Sequence, residues 1–215
     1  MRIALLHTAE SNVVGFEQAG RTLGLSEGTL VHEVRADLLL AAREAGGLTA
    51  SIAKDTALAL RALTSHADVV VLTCSTLGPS IDEVGAKSVP ILRVDAALAE
   101  HAVRGGGLVV ALCALDTTVE PTTRLFAQTA AKIGAQVDVR LIPDIWDLLL
   151  AGNHAAYYDA IAKAADAAYD KGASVVALAQ ASMSPAADLV MRGPRPLDSP
   201  SSGLAAAIAI ARAAV

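Results

Sequence analysis

Cys74 is the residue whose type and setting best support chemistry. It follows an apolar stretch at 69–72 and precedes Ser-Thr-Leu-Gly-Pro, a turn in which Pro79 suits the first turn of a helix. A thiol in that position points toward a helix N-terminus, whose partial positive charge and free N–H groups stabilise a thiolate. We therefore expect Cys74 to act as a base or nucleophile. The alternative is a buried cysteine that only fills space.

An internal repeat gives Cys74 a partner position. Shifting the chain by 106 residues places 70–79 over 176–185 without a gap, and 3–7 over 109–113. In this alignment Gln180 corresponds to Cys74, and Cys113 corresponds to His7. Two related α/β halves are therefore predicted.

The residues at these positions differ in what they can do. Glutamine is neither an acid nor a base near neutral pH. His7 is a candidate second acid/base or carboxylate ligand, because imidazole titrates near neutrality; a structural histidine is the alternative. Cys113 is expected to be buried within a strand. Three residues that follow His7 or Gln180 in the sequence are further candidates for substrate contact: Thr8, Ala181 and Ser182.

Short aliphatic stretches alternate with helical patterns, which indicates βαβ units and a parallel sheet. The predicted strands are 3–6, 69–72, 91–94, 108–112, 137–142 and 175–178, and the predicted helices are 55–63, 95–103, 121–133, 154–170 and 204–214. We expect two α/β lobes related by a pseudo-twofold axis, with the site between them. The first lobe would span 1–96, completed by a C-terminal helix at 203–215, and the second 97–202. Ligands bind beyond the carboxyl ends of parallel strands, where Cys74 and Gln180 would lie.

The composition fits this fold and excludes several classes of protein. Of 215 residues, 53% are hydrophobic and 18% charged, which suits a folded globular chain rather than a disordered one. A net charge of −5 without a basic cluster argues against nucleic-acid binding. No apolar stretch is long enough to span a membrane and no signal peptide is recognisable, so a cytoplasmic location and free thiols are expected.

The other chemistry-bearing residues give no cofactor or metal pattern. The remaining histidines lack metal-ligand spacing, and neither the dinucleotide fingerprint nor the P-loop is present. We expect no metal site. A homo-oligomer is compatible with the alanine-rich composition, but no residue fixes its number.

Three segments resemble the aspartate/glutamate/hydantoin racemase superfamily: 71–76, 112–122 and 197–200. The resemblance covers nearly the whole chain. It implies a cofactor-independent enzyme for a small carboxylate or carbonyl compound, in which one cysteine from each lobe acts on opposite faces of a carbon. It also implies that Ser75 and Thr76 bind the substrate carboxylate beside Cys74. Thr117 and Thr118 match the threonine-bearing loop of the second lobe.

The sequence departs from that family pattern at Gln180, which stands where the second cysteine is expected. The leading hypothesis is an isomerase or racemase-like enzyme using Cys74 as base or nucleophile, although two-base racemisation is doubtful. A decarboxylase or lyase with a single thiol is one alternative. A non-catalytic small-molecule binder that lost its second cysteine is another.

Overall fold

The computed structural model describes residues 1–86 and 89–213 and divides the chain into two compact units. Unit 1 comprises Met1–Ala97 with Pro200–Val215, and unit 2 comprises Leu98–Ser199. Each unit contains a four-stranded parallel sheet with helices, so the predicted α/β class with two parallel sheets is confirmed. Positions 214 and 215, which the prediction assigned to the closing helix, lie outside the described residues.

Unit 1 is a sheet with strand order β2-β1-β3-β4. Its strands are β1 (Ile3–His7), β2 (Leu30–Val34), β3 (Val69–Leu72) and β4 (Ile91–Arg93). Its helices are α1 (Ser11–Thr22), α2 (Ala36–Glu44) and α3 (Ala50–Leu63), and a 3₁₀ helix, Gly78–Val84, follows β3. Helix α4 (Val94–Val103) begins directly after β4 and continues into unit 2.

The alternation of side chains along β1 decides what reaches the site. Leu6 of β1 and Leu72 of β3 are fully buried in a core formed with α2 and α3. Because successive residues of a strand face opposite sides of the sheet, His7 points to the other face, where its ring meets Phe16 of α1. His7 is thus buried against a helix although it ends its strand.

Unit 2 repeats the same plan, with strand order β6-β5-β7-β8. Its strands are β5 (Leu108–Cys113), β6 (Gln136–Leu141), β7 (Val175–Leu178) and β8 (Leu197–Asp198). Its helices are α5 (Val119–Ala131), α6 (Ile145–Leu150) and α7 (His154–Asp170), with 3₁₀ helices at Asp116–Thr118 and Ala181–Leu189. Helix α8 (Ser199–Ala213) follows β8, and from Pro200 onward it belongs to unit 1. None of the described helices is long and apolar enough to cross a membrane.

The offset of 106 residues aligns the two sheets. Strand β3 begins at Val69 and β7 at Val175. Each sheet also carries the same hydrogen bond just beyond these strands: Thr73 N–H donates to the Leu6 carbonyl at 3.1 Å, and Ala179 N–H to the Leu112 carbonyl at 3.0 Å. Cys74 and Gln180 therefore occupy equivalent backbone positions within their own units.

Candidate active site

Cys74 lies just past the end of β3, at the carboxyl edge of the unit 1 sheet. Only 9% of the residue is exposed. Three donors are hydrogen-bonded to its sulfur: the hydroxyl of Thr8 and the backbone N–H groups of Thr76 and Leu77. Donors that converge on one atom from a rigid backbone stabilise negative charge there, as in an oxyanion hole.

Burial nevertheless raises the pKa of the Cys74 thiol above its ordinary value, because desolvation disfavours the thiolate. The three hydrogen bonds lower the pKa, and the negative charge of Asp95 raises it. This differs from the sequence expectation of a thiolate stabilised by a helix N-terminus. The helix that follows is a 3₁₀ helix beginning at Gly78, and desolvation outweighs the donors. The Cys74 thiol is therefore protonated at neutral pH.

Ser75 and Thr76 form the loop that carries these donors. Both residues are buried, and the Gly78 N–H donates to the Ser75 carbonyl at 3.1 Å, which closes a turn. The turn directs the N–H groups of Thr76 and Leu77 toward the sulfur. The backbone of this loop therefore contributes at least as much to the setting of Cys74 as the two hydroxyls that sequence reasoning singled out.

A buried ion pair lies at the end of the neighbouring strand. Arg93, the last residue of β4, makes a bidentate pair with Asp95, with Nε–Oδ1 at 3.0 Å and Nη2–Oδ2 at 2.7 Å. The Arg93 side chain is 16% exposed and that of Asp95 is 3% exposed. The guanidinium packs so closely on Gly78 that a Cβ there would lie 2.6 Å from Arg93 Cζ. The Arg93–Asp95 ion pair thus packs against the segment that follows Cys74 and holds it in place.

His7 has a protein partner on each ring nitrogen. Its Nδ1 atom lies 2.9 Å from Thr73 Oγ1, and its Nε2 atom lies 2.9 Å from Nδ1 of His32. Burial, reinforced by the charge of His32, lowers the pKa of His7 from 6.5 to about 3. His7 is therefore neutral at physiological pH, and no ring nitrogen is left for a substrate.

In unit 2, Gln180 directly follows Ala179 at the end of β7 in an extended conformation. Its Oε1 atom accepts a hydrogen bond from the backbone N–H of Ala114, just beyond β5. The side chain is thus folded back onto its own sheet, and its carbonyl oxygen satisfies a backbone donor. The amide NH₂ group is the part of Gln180 suited to bind an anion.

The threonine-bearing loop of unit 2 surrounds Cys113. Cys113 is fully buried at the end of β5, as expected, and burial raises the pKa of its thiol. Thr118 is 2% exposed, donates to the Leu115 carbonyl and is also hydrogen-bonded to Cys113. Thr117 is half-buried, and its N–H donates to Asp116. Of the two threonines, Thr117 is the more exposed.

Ser182 is tied to the helix behind it. Its hydroxyl lies 2.8 Å from the hydroxyl of Tyr157, a fully buried residue of α7. Ala181 is buried at the start of the 3₁₀ helix. The segment after Gln180 is therefore anchored to its own unit. Among the described residues, no group of three or more His, Cys, Asp or Glu side chains is arranged to hold a metal ion.

A comparison with known protein families decides the relationship. A family profile matches residues 21–207, most of the chain, and it describes Asp/Glu/hydantoin racemases. The chain belongs to the Asp/Glu/hydantoin racemase family. The resemblance noted from the three short segments is confirmed.

Solved structures of this racemase family share the fold. Aspartate racemase from Picrophilus torridus has a TM-score of 0.74 at 14% identity, covering 98% of this chain and 94% of that one. Allantoin racemase from Pseudomonas fluorescens scores 0.68 at 18% identity, with 100% and 92% covered. Glutamate racemase from Thermus thermophilus, in complex with β-chloro-D-alanine, scores 0.65 at 16% identity, with 99% and 81% covered. No curated protein sequence matches the chain significantly.

Within this racemase-family fold, each unit brings part of the predicted set together. In unit 1, Thr8 and Thr76 are hydrogen-bonded to the Cys74 sulfur, Ser75 lies between Cys74 and Thr76 in the chain, and His7 is hydrogen-bonded to Thr73. In unit 2, Gln180 meets the end of β5. Sequence reasoning missed four charged or titratable residues of unit 1 that surround this cluster: Glu17, His32, Arg93 and Asp95.

Proposed function

We propose that the chain is a cofactor-independent isomerase that acts on a small carboxylate or carbonyl compound through the thiol of Cys74. The observation that carries the proposal is the convergence of Thr8, Thr76 and Leu77 on the Cys74 sulfur at the carboxyl edge of a parallel sheet. Such a thiol is held in place and supplied with donors for the charge it develops as a thiolate.

In this proposal the Cys74 thiol first releases its own proton to solvent, and the resulting thiolate removes the proton on the carbon next to a carbonyl or carboxylate. The C–H electron pair moves into the carbonyl to form an enolate, and the proton is held as S–H until it returns to carbon. Ser75 and Thr76 are the proposed donors to the substrate's oxygens. These groups suffice for the step without a metal or cofactor, and a reducing cytoplasm would keep the thiol free.

A single thiol predicts a distinct stereochemical outcome. Because Gln180 cannot deliver a proton, the proton is taken from and returned to one face of the carbon. We expect α-hydrogen exchange with solvent to be faster than loss of optical activity. A two-base racemase would couple exchange to inversion.

The decisive experiment is incubation in D₂O with separate single-enantiomer amino acids, hydantoins and allantoin, and with substituted malonates, followed by ¹H NMR. Deuterium incorporation at the α-carbon, lost in Cys74→Ala and retained in the matched variant Cys113→Ala, supports the proposal. Absence of exchange and turnover across all four classes contradicts it. Carbon dioxide release from malonates would instead indicate the decarboxylase alternative.

A second candidate function is non-catalytic binding of a small carboxylate. It is favoured by Gln180, whose oxygen is committed to the Ala114 N–H and which replaces a second acid/base with an amide. Calorimetric titration separates the two: binding without exchange or turnover identifies a binding protein.

A further inference from the structure

A chain of hydrogen bonds runs from the surface of unit 1 to the residue that precedes Cys74. Glu17 of α1, 40% exposed at its side chain, lies 3.0 Å from Nε2 of His32 in β2. His32 contacts His7 of β1, and His7 contacts Thr73, with both hydrogen bonds at 2.9 Å. Four side chains are thus joined in a line, three of them on α1, β2 and β1 and the fourth just past the end of β3.

The direction of each hydrogen bond follows from Thr73. Its Oγ1 atom lies 3.0 Å from the carbonyl oxygen of Leu6, and two oxygens at that distance need a hydrogen between them. Thr73 therefore donates to Leu6 and accepts from the Nδ1–H of His7. Nε2 of His7 then carries no proton and accepts from the Nδ1–H of His32. At the outer end of the chain, Nε2 of His32 contacts the Glu17 carboxylate.

This chain extends the pairing of β1 with β3 beyond the last backbone pair. The strands pair in parallel as far as Leu6 and Leu72. One position further, His7 and Thr73 are joined through their side chains, and one further still Thr8 and Cys74 are joined. The His7–Thr73 link therefore fixes the spacing of the two backbones that present the Thr8 hydroxyl to the Cys74 sulfur.

We infer that His7 is a positioning residue for Cys74, and that His32 and Glu17 hold its ring in the neutral form protonated at Nδ1. The inference rests on the proposed function of Cys74, which it deepens. The alternative, in which His7 itself exchanges protons with substrate, conflicts with its complete burial and with the two protein partners on its ring.

The test compares two replacements of His7. The amide nitrogen of asparagine occupies nearly the place of Nδ1, so His7→Asn keeps a donor toward Thr73, whereas His7→Gln places its amide near Nε2 and loses that donor. His66→Gln, which replaces an exposed histidine of the same unit, is the matched control. The readout is the rate of iodoacetamide alkylation of Cys74 between pH 6 and 10, measured by peptide mass spectrometry separately from Cys113.

We expect His7→Gln to move the alkylation profile of Cys74 to higher pH by about one unit, because the Thr8 donor is displaced. His7→Asn should restore most of the wild-type profile, and His66→Gln should leave it unchanged. Identical profiles for His7→Gln and His66→Gln would overturn the inference.

A measurement on the wild-type protein covers the case in which His7→Gln does not fold. ¹⁵N–¹H correlation spectra at pH 7 should show His7 protonated at Nδ1 alone. A proton on Nε2 of His7 would refute the assignment. Neither experiment needs a substrate, so its failure is distinguishable from a failure of the exchange experiment that tests the proposed function.

Discussion

Thr8 and Cys74 are hydrogen-bonded across the ends of β1 and β3, and the equivalent pair in unit 2, Ala114 and Gln180, is hydrogen-bonded as well. In unit 1 a hydroxyl donates to a sulfur. In unit 2 a backbone N–H donates to a side-chain amide. The same two positions are joined in both units by different chemistry, with a thiol in one unit and a carboxamide in the other.

Removing the Thr8 hydroxyl should weaken the thiolate form of Cys74. A hydrogen bond to a charged group contributes about 1.5 kcal/mol or more, so Thr8→Val should slow alkylation of Cys74 by about tenfold at pH 7. Thr8→Ser keeps the donor and should react at close to the wild-type rate. Equal rates for the valine and serine variants would show that the hydroxyl does not act on the sulfur.

Replacing Gln180 should expose the amide of Ala114. Gln180→Ala leaves the Ala114 N–H without its acceptor, at a cost of about 1 to 2 kcal/mol, and its hydrogen exchange should accelerate by about tenfold. Gln128→Ala, at an exposed position of α5 in the same unit, is the matched control. The prediction is contradicted if Ala114 exchanges at the same rate in both variants.

The buried His7 should make stability fall in acid. Its pKa is lowered from 6.5 in the unfolded chain to about 3 in the folded protein, so the folded state binds this proton more weakly. The resulting stabilisation is fully present above pH 6.5 and is lost as the pH falls toward 3, amounting to up to about 5 kcal/mol.

Urea denaturation at pH 7 and pH 4 measures this effect. The decrease in unfolding free energy from pH 7 to pH 4 should be smaller in His7→Gln than in His66→Gln. Carboxylates become protonated in both variants, so the difference between them reports on His7. Equal drops would mean that His7 titrates normally in the folded protein.

Gly78 should tolerate no side chain, because Arg93 lies against it. Gly78→Ala forces the guanidinium away from Asp95 and should destabilise the protein by about 1 to 3 kcal/mol. Gly15→Ala, in α1 with nothing near the added methyl, should instead stabilise by about 0.5 to 1 kcal/mol. Thermal unfolding of both variants checks the opposite signs, and a neutral Gly78→Ala would show that Arg93 moves aside freely.

The inner strands and long helices could be predicted because their signals are strong. Strands β1, β3, β5 and β7 are short aliphatic segments buried on both faces, and α7 was predicted with its observed bounds, 154–170. Strand β2, Leu-Val-His-Glu-Val, was missed because it is an edge strand with charged, half-buried residues. Strand β8 has two residues, too few for any pattern.

The candidate site was predictable only where residues are close in sequence. Cys74, Ser75 and Thr76 are consecutive, and the repeat located Gln180. The contact between His7 and His32 depends on the register of β1 with an unpredicted strand, in which Leu5 pairs with His32. The opposing effects on the Cys74 pKa depend on how tightly the loop is buried, which no residue type reveals.

Because the two units repeat at an offset of 106 residues, each unit can serve as a control for the other. Each position in the segment after β3 has an equivalent position after β7, so matched substitutions can be compared in the same polypeptide and under the same solution conditions. Exchanging 73–79 with 179–185 would therefore transplant a thiol loop and an amide loop between two scaffolds of the same strand order. Thiol reactivity that is retained after the exchange is determined by the seven residues of the loop. Thiol reactivity that is lost depends on the surrounding sheet and helices.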